Sequence, residues 1–194
     1  ANPCGDDFSA YPESAAPTPT WAVTAGEWKV VAGELVGQNS GTGAWAPTGV
    51  VTGSESWKDY RLSLRFKVQE TGGDHRDGAW IGFRYVSVDT CYTLSFQGGL
   101  LLQKTIDGRS GGDTAQLAKA PWTNDGDWHE AEITAQGGHI VVRVDGRQVF
   151  DVVDDDFLGV GPIPAGGVCL SARKWEGSPR DTVVMFDDVK VEML

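Results

Sequence analysis

Basic side chains are scarce in this sequence, which limits the partners it can have. The 194 residues include 16 lysines and arginines but 27 aspartates and glutamates, giving a formal net charge of −11 at pH 7. A phosphate backbone is bound through clustered Lys and Arg side chains that release counterions. The composition therefore argues against nucleic acid as a partner.

Long apolar runs and helical patterns are also missing. No stretch approaches the roughly 20 apolar residues that cross a bilayer, and no basic amphipathic helix suited to a membrane surface is present. The chain starts at Ala1 without an initiator methionine, which is typical of a mature protein after signal removal or of a trimmed chain. We expect a secreted, monomeric protein without a membrane partner.

Cysteine is rare, and its positions leave two interpretations open. The three residues Cys4, Cys91 and Cys169 allow one disulfide and one leftover thiol. Cys91 and Cys169 both lie in apolar segments, out of phase with the neighbours that should face a core. They form either a disulfide across one sheet face or two small buried thiols.

What the sequence does contain is a series of short alternating segments rich in β-branched and aromatic residues. Residues 61–68, 80–86 and 139–144 are examples, and turn signals such as Asp107-Gly108 and Asp145-Gly146 lie between such segments. A period of two lets each segment bury one face and expose the other. The pattern predicts an all-β fold, a two-sheet antiparallel β-sandwich formed by a single domain over residues 1–194.

Several motifs occur in an order that resembles a known superfamily. They are Gly26-Glu27-Trp28-Lys29-Val30, Trp57-Lys58-Asp59-Tyr60, Gly82-Phe83-Arg84-Tyr85, Leu102-Gln103-Lys104, Val144-Asp145-Gly146 and Phe186-Asp187-Asp188-Val189. Over nearly the whole chain this order resembles the concanavalin-A-like, laminin-G-like jelly-roll superfamily, and within it the bacterial 3-keto-disaccharide hydrolase-like domains and family 66 carbohydrate-binding modules. The resemblance implies two antiparallel sheets of six or seven strands, one convex and one concave, with the first and last strands adjacent. Such motifs indicate fold more strongly than function.

The same resemblance implies a calcium site. Adjacent first and last strands would bring Asp6-Asp7 close to Asp187-Asp188, and relatives often carry calcium on the convex side. Carboxylate oxygens are the ligands that Ca²⁺ prefers, so Asp7 and Asp188 are the candidate calcium ligands. The alternative is that these pairs are solvated edge charges that deter aggregation.

Tryptophan, in contrast to cysteine, is plentiful. Sugar rings are recognised by aromatic side chains on which they stack and by forked hydrogen-bonding groups. Four tryptophans occupy positions where the resembling families place core or turn aromatics: Trp21, Trp28, Trp57 and Trp128. The other four lie in loops or out of phase with the buried residues of their strands: Trp45, Trp80, Trp122 and Trp175.

Side-chain direction on one strand gives the sharpest candidate site. If Ile81 and its apolar neighbours face the core, Trp80 and Arg84 face outward together. The candidate ligand-binding residues are Trp45, His75, Trp80, Arg84, Thr93, Ser95, Arg173 and Trp175. Arginine forks bind carboxylates and vicinal hydroxyls, which fits an acidic or fructose-type glycan. Two alternatives stay open: Arg84 pairs with an acidic neighbour such as Asp77 or Asp89 for stability, or a β-bulge reverses the parity.

Catalytic motifs are weak by comparison. The alternating acidic pattern of family 16 glycoside hydrolases is absent, and Glu130 and Glu132 are expected to be solvated charges on the outer sheet. Arg84, His75 and Tyr92 could act in a lyase, but lyase motifs are missing. We expect a carbohydrate-binding domain of a polysaccharide-degrading system. The alternatives are a 3-keto-disaccharide hydrolase-like glycoside hydrolase or polysaccharide lyase on the same scaffold, and a purely structural adhesion domain.

Overall fold

The computed structural model describes residues 4–41, 49–111 and 115–194. These residues form strands connected by turns, with one 3-10 turn at Phe157–Gly159. The strands are β1 (Cys4–Asp6), β2 (Ala22–Ala25), β3 (Glu27–Val31), β4 (Glu34–Asn39), β5 (Gly49–Thr52), β6 (Tyr60–Glu70), β7 (Gly78–Ser87), β8 (Thr90–Gln97), β9 (Gly99–Ile106), β10 (Arg109–Ser110), β11 (Ala118–Ala120), β12 (His129–Gln136), β13 (His139–Val144), β14 (Arg147–Val153), β15 (Gly167–Arg173) and β16 (Thr182–Met193). None of the described helical turns is long and apolar enough to span a membrane.

The strands form two antiparallel sheets. Sheet A has the order β14-β13-β12-β6-β16-β4-β3, with β1 also paired to β16, and sheet B has the order β10-β9-β8-β7-β15-β5-β2, with β11 also paired to β9. The predicted antiparallel β-sandwich is confirmed. The first and last strands are adjacent as expected, since Cys4 pairs with Val191. Each sheet has eight described strands, more than the six or seven that the resemblance implies.

The core lies between the two sheets and follows from the alternation seen in the sequence. In β6 every second side chain is buried, from Tyr60 to Val68. Phe66 of this strand meets Phe96 of sheet B with a distance of 4.0 Å between ring centroids. Burial of each such side chain contributes about 1.5 to 3 kcal/mol, so the apolar stripes of both sheets hold the sandwich together.

One half of β7 departs from this alternation. Ile81 and Phe83 are buried in the core as predicted. Arg84 then adopts a φ of 43°, and the pairing with β8 shifts between Phe83 and Ser87. The shift turns Arg84 inward, where it has no exposed surface, so the prediction that Arg84 faces solvent beside Trp80 is wrong. The β-bulge named as an alternative is the physical reason.

The buried Arg84 guanidinium has partners on three segments of the chain. It donates hydrogen bonds to the carbonyl oxygens of Lys58 (3.1 Å), Ile163 (2.8 Å) and Gly137, and to the carboxylate of Asp59 (3.1 Å). Its ion-pair partner is therefore Asp59, not Asp77 or Asp89 as considered from the sequence. A buried arginine is tolerated only when its donors are satisfied in this way.

The cysteines do not form the predicted disulfide. All three are free and buried. Cys91 lies in β8 and Cys169 in β15, and β7 separates these two strands in the sheet. Two strand spacings put their Cα atoms at least about 9.5 Å apart, beyond the roughly 7 Å that a disulfide spans. The interpretation as two small buried thiols agrees with the structure.

The acidic residues near the adjacent first and last strands are engaged by protein groups. Asp7 accepts hydrogen bonds from the amide and hydroxyl of Ser9, and Asp188 lies 3.5 Å from Arg65. Within residues 4–41, 49–111 and 115–194 no group of three or more acidic, His or Cys side chains is arranged to hold a metal. The calcium site at Asp7 and Asp188 stays a prediction from the sequence.

Candidate functional site

The outer face of sheet B carries the candidate site. In its central strands the residues that alternate with core residues point away from sheet A, so that Trp80 of β7 lies between Ser95 of β8 and Ser171 of β15. Two residues further along β7, Gly82 lies between Thr93 of β8 and Cys169 of β15. We call this surface the sheet B face; it comprises Trp80, Gly82, Tyr85, Thr93, Ser95, Gln103, Ser171 and Arg173.

Two Trp–Arg stacks link β7 to β15 on this face. The guanidinium carbon of Arg173 lies 3.5 Å from the ring centroid of Trp80. Beyond the strand ends, Arg76 lies 3.6 Å from the ring centroid of Trp175. Trp80 and Arg173 belong to β7 and β15, whereas Arg76 lies in the turn before β7 and Trp175 in the turn after β15. A cation over an indole contributes about 0.5 to 2 kcal/mol, so both arginines are held in defined positions at the surface.

The turn that precedes β7 is fixed to the turn that follows β15. Asp77, which is almost fully buried, accepts hydrogen bonds from the Trp175 amide (2.7 Å) and the Ser178 hydroxyl (2.7 Å). Arg76 forms a forked pair with Asp74, at 2.7 Å and 2.8 Å, and this pairing lowers the pKa of Asp74 to about 2. The carboxylates of both aspartates are therefore committed to holding the rim of the sheet B face.

Two predicted site residues form the floor of the face. Thr93 and Ser95 lie on the outer side of sheet B as expected from parity, but they are 9% and 0% exposed. The Ser95 hydroxyl donates a hydrogen bond to the Gln103 side-chain oxygen at 3.4 Å. They support the larger side chains around them and have little accessible surface of their own.

Tyr85 is a residue of this face that sequence reasoning missed. A Cβ atom added at Gly82 would lie 3.5 Å from the Tyr85 ring, which places that ring on the outer side. Burial, together with the nearby Cys169 and Cys91, raises the pKa of Tyr85 to about 12. The phenol is therefore neutral at physiological pH and can donate a hydrogen bond. The reversal of side-chain direction at Arg84 turns the Tyr85 ring to the outer side of sheet B. No pattern in the sequence marks that reversal.

The structure brings some of the other predicted residues together and separates the rest. Trp175 lies at the rim with Arg76, and His75 lies on the same turn with a side chain that is 68% exposed. Trp45 lies outside the described residues. Trp122 packs against Phe96 with ring centroids 5.0 Å apart and is part of the core boundary.

The described strands of sheet B hold no carboxylate. Strands β2, β5, β7, β8, β9, β10, β11 and β15 contain neither Asp nor Glu. Glycoside hydrolases of the usual kind need two carboxyl groups that flank the scissile bond. The described strands under this face therefore supply stacking and hydrogen-bonding groups but no acid–base pair.

The three residues that could serve a lyase do not meet. Tyr92 faces the core and donates a hydrogen bond to the buried Asp154 at 2.6 Å. Arg84 is also buried, while His75 is at the exposed rim. The structure therefore does not bring Arg84, His75 and Tyr92, which the sequence analysis considered for a lyase, into one groove.

A depression of about 310 Å³ lies on the opposite surface, the outer face of sheet A. Glu130, Glu132 and Arg143 line it, and Arg65 in its wall is paired with Asp187 at 3.3 Å. The charges there alternate from strand to strand, which is the solvated surface expected for Glu130 and Glu132. We therefore place the candidate site on the sheet B face, where aromatic and hydrogen-bonding groups converge.

Comparison with a family model gives a match over almost the whole chain. The model of the family described as the 3-keto-alpha-glucoside-1,2-lyase-like domain matches residues 10–192. No curated protein sequence matches the chain.

Solved structures with the same architecture are numerous. The carbohydrate-binding module CBM66 from Bacillus subtilis superposes with a TM-score of 0.67 at 17% identity, covering 93% of this chain and 99% of that one. The exoplasmic/lumenal domain of VIP36, in a form bound to Ca²⁺ and Man3GlcNAc, gives 0.66 at 14% identity, covering 92% and 87%. A structure from work on endo-acting O-glycanases of the human gut microbiota gives 0.70 at 13% identity, covering 100% of both chains. At such identities the likeness shows the fold alone.

Proposed function

The chain belongs to the 3-keto-alpha-glucoside-1,2-lyase-like domain family, and on this premise we propose that it binds carbohydrate on the sheet B face. The observation that carries the proposal is the pair of Trp–Arg stacks, Arg173 on Trp80 and Arg76 on Trp175. The first stack stands on strands that contribute hydroxyl and amide groups but no carboxylate. The second stands on the rim turns, where the carboxylates of Asp74 and Asp77 are held by hydrogen bonds. This combination suits recognition of a saccharide without cleavage.

The stacks define how a sugar would be held. Because Arg173 covers one side of the Trp80 ring, its guanidinium is fixed by the indole and presents N–H donors in a plane. Sugar hydroxyls in vicinal positions match such a fork, and Gln103 adds an amide. Tyr85 contributes an aromatic surface over the buried Gly82, next to Cys169. The structures of CBM66 and of VIP36 bound to Man3GlcNAc support this function by analogy.

A matched pair of tryptophan variants tests the site. Trp80→Ala removes the stack on the sheet B face, whereas Trp128→Ala removes the equivalent stack with Arg65 (4.6 Å) on sheet A. We expect an oligosaccharide selected on a glycan array to lose about tenfold or more in affinity with Trp80→Ala, about 1.4 kcal/mol, in calorimetric titration. Trp128→Ala should bind as the unchanged protein does. Equal affinity of both variants, with native circular dichroism, would remove the site from the sheet B face.

A lyase that acts on 3-keto-glucosides is the second candidate, and the family description favours it. Elimination there needs a base to take the proton beside the keto group as the glycosidic C–O bond breaks. His75, on the rim turn 3.4 Å from Asp74, is the imidazole closest in sequence to the stacks. Release of the aglycone from a 3-keto-α-glucoside, abolished by His75→Ala, would establish the lyase and replace the binding proposal.

A further inference from the structure

The sheet B face has a second aromatic side chain at the end opposite the rim turns. Tyr85 pairs across the sheet with Gly167, and its ring lies 3.5 Å from the position of a Cβ atom added at Gly82. The ring is partly exposed, and neither glycine has a side chain that could cover it. Tyr85 therefore presents an aromatic surface at this end of the face.

The direction of the Tyr85 side chain is fixed by the residue before it. Arg84 has no exposed surface, and its backbone amide donates a hydrogen bond of 2.6 Å to the Tyr60 hydroxyl. Its guanidinium is bound by carbonyl oxygens and by the Asp59 carboxylate. Because β7 cannot rotate at this point without breaking these buried hydrogen bonds, Tyr85 is oriented before a ligand arrives. Such preorganisation reduces the ordering cost of binding.

The hydroxyl of Tyr85 is available to a ligand. It forms no hydrogen bond with the residues that the structure describes, and its oxygen is not fully buried. The raised pKa keeps the phenol protonated at physiological pH. A protonated phenol can donate one hydrogen bond and accept another, which is the pattern that a sugar hydroxyl needs from its partner.

A carboxylate lies close to this phenol. Asp89 is exposed in the turn that joins β7 to β8, and its charge adds to the effect of burial and the nearby cysteines on the pKa of Tyr85. The Gly108 amide donates a hydrogen bond of 3.0 Å to the Asp89 carbonyl, which fixes this turn to the turn after β9. That second turn also carries Asp107 and precedes Arg109, yet the Asp89 carboxylate has no hydrogen bond or ion pair with any described residue.

Tyr85 and Trp80 belong to the same strand but are too far apart to contact one sugar ring. They are five positions apart on β7, about 16 Å or less at roughly 3.3 Å per residue. The outward residues between them are small: Gly82 on β7, with Thr93 and Cys169 on the strands beside it. A monosaccharide therefore reaches one of the two aromatic side chains, whereas an oligosaccharide laid along β7 reaches both.

We propose that Tyr85 and Asp89 form a second saccharide subsite, so that the sheet B face binds a stretch of oligosaccharide running along β7, with a neutral sugar at the Tyr85 end. The inference rests on the proposed function, because it specifies the length and direction of the ligand on the same face. The Tyr85 ring stacks on one sugar, and its hydroxyl and the Asp89 carboxylate bind the hydroxyl groups of that sugar. A negatively charged sugar at this position would be repelled by Asp89.

A length series tests binding at two positions. We would titrate oligomers of glucose, mannose and fructose, each from the monosaccharide to the hexasaccharide, by calorimetry. In the series that binds, we expect affinity to rise about tenfold or more up to the shortest oligomer that reaches both Trp80 and Tyr85, and to change little beyond it. Equal affinity for all lengths would overturn the second subsite, because it would mean that the face binds a single sugar.

Variants of Tyr85 test the aromatic contact. Tyr85→Ala should lower affinity for the longer oligomers by about fivefold or more and remove the dependence on length, while the shortest oligomer that binds keeps its affinity. Tyr85→Phe keeps the ring and removes the hydroxyl, so it should lose only about two- to threefold. A loss of affinity in Tyr85→Ala that is the same for every length would contradict a separate subsite.

A charge comparison tests Asp89. We would measure the ratio of affinities for a glucose hexasaccharide and a hexamer of glucuronic acid at about 0.05 M salt, where exposed charges are weakly screened. Asp89→Asn should shift this ratio towards the acidic hexamer by about twofold or more, because it removes a negative charge beside the ligand. Glu130→Gln, which removes an exposed carboxylate from the outer face of sheet A, is the matched control and should leave the ratio unchanged. The same ratio in both variants would remove Asp89 from the subsite.

The outcomes separate this inference from the proposed function. Loss of binding in Trp80→Ala together with full affinity and full length dependence in Tyr85→Ala would overturn the second subsite and leave carbohydrate binding in place. Failure of every saccharide on the array to bind would overturn both. Thermal melting of each variant shows whether a loss of affinity reflects a loss of folded protein.

Discussion

Arg84 donates a hydrogen bond to Asp59 over 3.1 Å from a position with no exposed surface. The same guanidinium satisfies the carbonyl groups of Lys58 and Ile163, so it joins the entry to β6 with the segment before β15. These contacts assign Arg84 to stability and remove it from ligand recognition.

We therefore predict that Arg84→Met lowers the free energy of unfolding by about 3 to 5 kcal/mol, because it leaves buried carbonyl groups and Asp59 without their partner. Arg84→Lys should not restore stability, since a single ammonium cannot reach all the acceptors. Urea unfolding measures the effect. Arg143→Met, at an exposed site, serves as the control and should change stability by less than about 0.5 kcal/mol. An Arg84→Met protein as stable as this control would contradict the assignment.

Lys104 and Asp154 form a second buried anchor. The ammonium lies 2.8 Å from the Asp154 carboxylate, with both side chains fully buried, and donates hydrogen bonds to the carbonyl groups of Phe157, Val160 and Gly161. Lys104→Met should cost about 3 to 5 kcal/mol because it leaves a buried carboxylate unpaired. Lys119→Met, on the exposed edge strand, is the matched control.

A double-mutant cycle sharpens this second test. If Lys104 and Asp154 act as a pair, Lys104→Met combined with Asp154→Leu should cost clearly less than the two single changes added together. Strict additivity in chemical denaturation would show that the two groups stabilise the protein independently.

The imidazole of His129 predicts a pH dependence. Its ring nitrogens lie 2.7 Å from Asp145 and 2.9 Å from Asp125. Partial burial lowers the pKa of His129, but the hydrogen bonds to Asp125 and Asp145 outweigh this effect and raise it above its ordinary value. A raised pKa means that the folded protein binds the proton more tightly than the unfolded chain. The resulting stability is fully present below the ordinary histidine pKa of about 6.5 and is lost as the pH rises through the folded pKa.

We expect the difference in free energy of unfolding between the unchanged protein and His129→Gln to be larger at about pH 5.5 than at about pH 8.5. Asp145→Asn should reduce this pH dependence, because it removes one of the two carboxylates. His139→Gln is the control variant, because the His139 ring is half-exposed and contacts a single carboxylate, that of Asp151. A difference that grows as the pH rises would have the wrong sign and would refute the prediction.

The cysteines predict thiol chemistry that is slow in the folded state. Burial raises the pKa of both Cys91 and Cys169 to about 12, and the thiolate is the reactive form. All three thiols, including Cys4, should be titratable after unfolding in urea without reductant, and labelling of the native protein should be slow. Mass spectrometry that finds a disulfide between Cys91 and Cys169 after purification under air would contradict the strand order around β7.

The sequence predicted the sandwich well because alternation reports directly which face of a strand is buried. It also predicted that Trp80 and Arg173 share one face, because the alternation of β7 up to Phe83 is regular. It failed at Arg84, where a left-handed backbone is stabilised by a hydrogen bond from the Arg84 amide to the Tyr60 hydroxyl at 2.6 Å. Tyr60 belongs to sheet A, so the sequence around Arg84 carries no sign of this contact.

The predicted disulfide failed for a related reason. It depended on which strands are neighbours, and strand order follows from long-range pairing that alternation does not encode. The direction of Trp80 and Arg173 agrees with the structure, whereas their contact with a ligand stays a prediction, as do secretion, the monomeric state and calcium at Asp7 and Asp188.

The unequal charge of the two sheets has a consequence before any contact forms. The strands of sheet A carry ten negative and seven positive side chains, while those of sheet B carry five positive and no negative ones. Layers about 10 Å apart with this imbalance contribute an electric dipole across the thin axis of the molecule. The strands alone therefore place the positive end of this contribution on sheet B and the negative end on sheet A.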